Sequence, residues 1–173
     1  SDDVDGLRMM HDLAQQQLAE DPRPLSGIPL RLVDDEWEDW LPPAGHPLHA
    51  DFDWMAQIFL GRLYSDQQDL LNAIHEKEEI DVHVASFSAV ENQTGQKRSY
   101  CVWGEGVDAL LPQTQFVLLP TEADLQDDQP DHAGGAWQEV REVVGDLMQP
   151  VPDLYPPRWR VREFPSQHQL ETI

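Results

Sequence analysis

Three arginines alternate with two apolar residues in Arg158-Trp159-Arg160-Val161-Arg162. Extended backbone sends successive side chains to opposite faces, so the three guanidinium groups share one face while Trp159 and Val161 take the other. Three of the nine arginines of the chain thus fall within five positions. Guanidinium groups clamp carboxylates and phosphates through paired hydrogen bonds. Arg158, Arg160, Arg162 and Trp159 are therefore the candidate partner-binding residues, suited to a protein partner or a small anionic ligand. The competing use is internal: the Asp-rich loops of the same chain offer carboxylates to the same groups.

Other residue groups carry weaker signals. His46, His49 and Asp51, with Asp53 beyond them, offer two imidazoles and two carboxylates to a metal. His83 or His132 would have to complete such a set from afar, and the spacing lacks the helical His pair of a metalloprotease. This cluster defines the alternative reading, a metal-dependent hydrolase. Gly104-Glu105-Gly106-Val107-Asp108 puts two carboxylates near a turn, where separated pKa values would permit acid–base work. Its glycines form neither a phosphate loop nor a dinucleotide fingerprint, so no cofactor is implied. Ser86 and Ser88 lack a nucleophile elbow. Tyr64 and Tyr155 can serve as surface anchors.

The surface these groups would occupy is acidic throughout. The chain has 33 acidic against 11 basic residues, a formal net charge of -22 over 173 residues. Twenty of the acids are Asp, and Lys77 and Lys97 are the two lysines. A phosphate backbone calls for many clustered Lys and Arg, and 11 basic residues among 33 acids disfavour nucleic acid. The carboxylates run from Asp2 to Glu171 rather than along one segment. That spread favours a solvated shell adapted to high salt, where screening relieves self-repulsion, over a nucleic-acid decoy.

One cysteine, Cys101, rules out an intrachain disulfide, and its Tyr-Cys-Val-Trp setting reads as a buried strand thiol. No run approaches the length of a membrane span, and residues 1–20 lack the pattern of a signal peptide. A soluble, cytoplasmic protein is the expectation.

The elements that would position these residues follow from periodicity. Val4, Leu7, Ala14 and Leu18 predict a helix over 4–19. A strand is expected at 28–33, then a short helix at 34–41 that places Trp37 and Trp40 on one face, packed against the sheet or, as the alternative, exposed as a recognition patch. Two helices, 52–63 and 66–77, follow a Pro-rich loop; Ser65 would cap the second, and Leu70, Leu71 and Ile74 would form its apolar stripe. This helical pair is also the candidate dimer or docking hairpin. Strands at 80–90 and 97–104 make an antiparallel hairpin about a turn at 92–95. Val107, Leu110 and Leu111 suggest a helical turn, and 115–119 a buried central strand. Residues 121–135 read as a mobile acidic loop, 136–148 as a helix, 149–157 as rigid and irregular, and 158–164 as a strand before a polar tail.

The assembled expectation is a single α+β domain over 1–173. Its mainly antiparallel or mixed five-stranded sheet would be covered by about four helices. Functionally, the residues point to a non-catalytic protein-interaction or regulatory module with a protein partner or a homodimer.

Overall fold

Asp3 opens the first helix by accepting the Asp5 amide at 3.2 Å, which satisfies one of the free N–H groups of the first turn. The computed structural model describes residues 3–21, 24, 26–91, 95–121, 123–124 and 133–173. The chain divides into two compact units, 1–60 and 61–173, with helix α2 running through the boundary.

The first unit holds α1 (Val4–Glu20), strands β1 (Leu30–Val33) and β2 (Glu36–Asp39), and the start of α2 (His49–Glu78). The expected stripe of α1 is the buried one. Leu7 and Leu18 join Leu48, Phe52 and Met55 in a core that Val4, Ala14, Trp40 and Leu41 flank.

Residues 34–41 are not a helix. Asp34 and Asp35 adopt φ of 49° and 67°, and Val33 pairs with Glu36, so these two residues close a tight antiparallel hairpin. Two consecutive left-handed residues match the right-handed twist of the flanking strands, and Asp tolerates that conformation better than most side chains. The three-residue spacing of the tryptophans was the misleading signal. Trp40 packs beside the core, whereas Trp37 is 67% exposed and packs on no sheet.

The expected pair of helices is one 30-residue helix, so the docking hairpin built from them does not exist. Ser65 lies inside it. Leu70 and Ile74 are exposed, because the buried side of this stretch carries Tyr64 and Gln67 instead. The apolar stripe fades where polar-tipped residues do the packing, which mimics a break in the sequence. Glu79, at φ 55°, ends the helix, and the Ile80 amide reaches back to the His75 carbonyl at 2.9 Å.

The second unit corrects the five-stranded sheet. Among the described residues the chain forms three sheets, of two, four and four strands, in an α+β arrangement with four helices. One four-stranded sheet has the order β3 (His83–Val84), β6 (Ala109–Pro112), β10 (Arg158–Val161), β9 (Gln149–Pro150). The other has the order β4 (Ser88–Glu91), β5 (Lys97–Val102), β7 (Phe116–Leu119), β8 (Ala133–Ala136). Both are mixed, with β3 parallel to β6 and β5 parallel to β7.

The predicted strand at 80–90 is thus split, its two halves serving different sheets. The expected antiparallel pairing survives in β4 and β5, with Ser88 opposite Tyr100; residues 92–94 of the predicted turn lie outside the described residues. The helical turn expected at 107–111 is instead β6, buried along its whole length. A strand covered on both faces loses alternation, so Leu110 and Leu111 imitate a helical spacing. The expected central strand is β7, with Val117 and Leu119 fully buried.

Most of the acidic stretch at 121–135 lies outside the described residues; its end, Ala133–Ala136, is strand β8. Gly134 permits the close pairing there, since a Cβ would come within 2.6 Å of the Val117 carbonyl oxygen. Helix α3 (Trp137–Val144) continues into a 3₁₀ turn at Gly145–Leu147. The polar tail contains a short helix, α4 (Gln167–Leu170), at whose start Gln169 accepts from the Ser166 amide at 2.9 Å. The two sheets and α3 share one core. Cys101, Trp103, Leu111, Val117, Leu119, Trp137, Val140 and Val161 are among its buried members.

Candidate functional site

Strand β10 places Arg158 and Arg160 of the arginine row at the centre of its sheet, between β6 and β9, with Arg162 just past its end. The three have different fates. Arg158 is 0% exposed. Its Nε donates to Gln67 Oε1 at 2.6 Å and its Nη1 to the carbonyls of Ala85 and Leu110 at 2.8 and 2.9 Å. Nη2 reaches the Tyr64 carbonyl at 3.3 Å, and the guanidinium lies 5.2 Å from the Tyr64 ring centre. No carboxylate pairs with it among the described residues. Burial pushes its pKa down to about 10, so it stays charged at neutral pH.

Arg160 makes the internal pair that the sequence offered as the competing use. Its Nε and Nη2 donate to the two carboxylate oxygens of Asp108 at 3.0 and 2.8 Å. This two-point bond holds the Asp108 carboxyl below its ordinary range and Arg160 above its own. Asp108 therefore stays ionised against a cation, which does not suit a general acid in the Glu105–Asp108 pairing. Arg162 is exposed and donates to Gln149 Oε1 at 3.4 Å. Asp146, Leu147, Gln149, Arg160, Arg162 and Glu163 line a small cleft of about 110 Å³ here. Trp159 faces the other way, with the Arg141 guanidinium 4.3 Å above its ring and Trp137 edge-on at 6.2 Å.

The His46, His49 and Asp51 set does not assemble. His46 Nδ1 accepts the Leu48 amide at 3.1 Å, and His49 Nδ1 donates to the Pro42 carbonyl at 2.6 Å. Among the described residues no three His, Cys, Asp or Glu side chains converge to hold a metal, and His132 lies outside them. Cys101 is buried, receives the Thr114 hydroxyl at 3.4 Å and is pushed up to about 12 by burial, so it offers no thiolate. Ser86 bonds to Gln68, Ser88 lies in β4, and Tyr155 is exposed.

Sequence reasoning missed the row of α2 that supports β10. The Tyr64 hydroxyl donates to the Pro157 carbonyl at 2.8 Å and accepts the Gln113 amide at 3.0 Å. Gln67 Nε2 donates to the Pro156 carbonyl at 2.8 Å, Gln68 Nε2 to Val84 at 2.7 Å, and His75 Nδ1 to Val82 at 3.0 Å. The spacing Tyr64, Gln67 or Gln68, and His75 follows one helix face and was available as a signal. Also missed was an open apolar face on the β1–β2 hairpin. Cross-strand pairing sets Leu32 opposite Trp37, with Leu30 two residues away on the same side. These three are 52%, 67% and 55% exposed, respectively.

No family model, curated protein or solved structure matches the chain. Among the described residues no helix is long and apolar enough to cross a membrane.

Two predictions follow from the buried groups. Arg158→Lys keeps the charge but cannot span four acceptors with one compact ammonium. It should cost about 3 kcal/mol of stability in urea unfolding, and a loss below about 1 kcal/mol would contradict the assigned role. The second concerns alkaline pH. Burial raises Cys101 from 9.0 and Tyr64 from 10.0, each to about 12, so the folded chain retains protons that the unfolded chain releases. Their contribution is complete below pH 9 and is lost as pH rises towards 12; Arg158, shifted downwards, acts with the opposite sign at the top of this range. Cys101→Ala should therefore flatten the alkaline decline by up to about 1.4 kcal/mol per pH unit, measured as urea midpoints across the range. An unchanged slope would remove Cys101 from the account.

Proposed function

We propose that this chain is a non-catalytic protein-interaction module whose acidic shell is adapted to high salt. The observation that carries the interaction reading is the Leu30, Leu32 and Trp37 face. It is an exposed apolar face, bordered by Asp39 opposite Leu30, on a two-stranded sheet in which seven of the eight strand residues are exposed. An isolated hairpin is marginal in water, and Trp is the side chain most enriched where binding energy concentrates. The arginine row enters this reading through its outer members: exposed Arg162 and half-exposed Arg160 flank the cleft beside Gln149, where a carboxylate of a partner can compete for the guanidinium groups.

A photocrosslinking amino acid placed at Trp37 tests the reading in the cell, with one at Arg162 reporting the β10 surface in the same experiment. Discrete adducts at these positions, and none from a probe at exposed Glu76, are expected. Indistinguishable patterns at all three would sink the interaction reading.

The high-salt reading rests on the charge, 33 acidic against 11 basic residues. All four non-glycine residues with positive φ among the described residues are acidic, and three of them, Asp34, Asp35 and Asp153, are of a type that enters this conformation more readily than most. Unfolding free energy should rise from dilute buffer to multimolar KCl as screening relieves self-repulsion. A flat or falling curve would defeat this part of the proposal.

A further inference from the structure

Strand β2 reads Glu36-Trp37-Glu38-Asp39, and β1 is its one partner among the described residues. Its other edge therefore lacks a neighbouring strand. Pairing with β1 fixes which side chains share a face. Trp37 and Asp39 stand with Leu30 and Leu32, whereas Glu36 and Glu38 stand with Arg31 and Val33 on the opposite side. Along this edge, then, one face offers an apolar ring beside the Asp39 carboxylate and the other offers two carboxylates. Arg31 and Glu38 make an exposed contact at 3.9 Å across the hairpin, and such pairs hold their partners weakly.

The charge around the edge selects its complement. The ten residues from Leu30 to Asp39 carry five carboxylates and one arginine. The whole unit 1–60 carries thirteen acidic and three basic residues. A second copy adding its own β2 would set Glu36 and Glu38 near Glu, and like charges across a strand pair are destabilising. A basic strand meets the opposite situation: directly opposed side chains lie about 5 Å apart, close enough for Lys or Arg to reach each Glu.

Resting on the interaction reading above, we propose that the outer edge of β2 accepts an extended segment of a partner protein in which Lys or Arg alternates with aliphatic residues. The segment adds as a third strand. Its cations face Glu36 and Glu38, its aliphatic side chains prolong the Leu30, Leu32 and Trp37 face, and its main chain supplies the ladder hydrogen bonds. Over Glu36-Trp37-Glu38, period-two alternation on both strands makes the match: one register satisfies charge and apolar contact together, with Asp39 beyond it at the strand end.

The test uses the full chain and fluorescein-labelled peptides, read by anisotropy near physiological salt. The probe is a peptide of alternating Lys and Val. Controls are a peptide of the same composition with Lys and Val in separate blocks, an alternating Glu and Val peptide, and an alternating Ser and Val peptide. Glu36→Lys with Glu38→Lys should weaken the Lys–Val peptide by at least about tenfold, whereas Glu76→Lys with Glu78→Lys on α2 should change it by less than about threefold. Trp37→Thr, which keeps strand propensity at an exposed site, should also weaken it by about tenfold. Circular dichroism checks that each variant stays folded.

Equal losses from the two charge-reversed pairs, or equal binding of the blocked peptide, would overturn the proposal in favour of attraction by net charge. Tighter binding of the Ser–Val or Glu–Val peptide through Trp37 would overturn the basic partner and leave the interaction reading standing. Binding insensitive to Trp37→Thr and to the β2 charge reversal would remove the hairpin face itself. A concentration-dependent dimer in sedimentation, lost in Trp37→Thr, would replace the partner segment with a second copy of this chain.

Discussion

The guanidinium of Arg158 is the interaction on which the second unit depends. A buried cation ordinarily needs an anion, yet this one is bound by neutral acceptors from three different places: Gln67 and Tyr64 on α2, Ala85 after β3, and Leu110 in β6. The arrangement works because main-chain carbonyls at strand ends are themselves costly to bury without donors. One planar group with several N–H donors satisfies carbonyls that belong to separate segments, and it fixes their relative positions in doing so. The cost of desolvating the charge is visible in its depressed pKa. It is offset by the four hydrogen bonds that the guanidinium donates in the same interior.

This clamp explains why the second half of α2 is polar where it is buried. Tyr64, Gln67, Gln68 and His75 meet carbonyls of residues 157, 156, 84 and 82, so the helix is fastened to irregular chain and strand edges by hydrogen bonds. An apolar stripe would leave those carbonyls unsatisfied. The opposite face of the same sheet is conventional: Val161 and Leu111 enter the shared core with Trp137 and Val140. Strand β10 therefore separates a hydrogen-bonded layer from an apolar one. Arg158 belongs to the first and Val161 to the second, as strict alternation requires.

The same contrast explains what was legible in the sequence. Elements held by apolar periodicity were readable: α1 from Leu7 and Leu18, β7 from its buried run, α3 from Trp137, Val140 and Val144, and β10 from alternation. Elements fixed by polar or conformational features were not. The grip of Tyr64 and Gln67 looked like a break between two helices. Asp34 and Asp35 looked like the acidic start of a helix, because the same side chains suit an N-terminus and a left-handed turn. The burial of β6 on both faces turned Leu110 and Leu111 into an apparent helical pair. Five strands appeared to make one sheet because the short pairing segments β8 and β9 carry Gly-Gly and Pro rather than strand formers.

For the candidate site, spacing identified β10 but could not separate its arginines, since burial depends on which helix lies above each one. Arg158 lies beneath Tyr64 and Gln67, while Arg160 lies beyond them and meets Asp108. Partners and exposure, rather than residue type, divide the row into a structural cation, an ion-paired one and an open one. A parallel division holds among the carboxylates. Asp108 is committed to Arg160, and Asp3 caps a helix. Asp34, Asp35 and Asp153 take left-handed backbone positions that Asp tolerates, and Glu79 ends α2 in the same conformation. The carboxylates run from Asp2 to Glu171, so charge alone cannot mark a binding surface on this protein. The proposed docking edge rests instead on a coincidence: the acidic side chains of β2, the open Trp37 beside Leu30 and Leu32 of β1, and a strand edge with no further partner among the described residues.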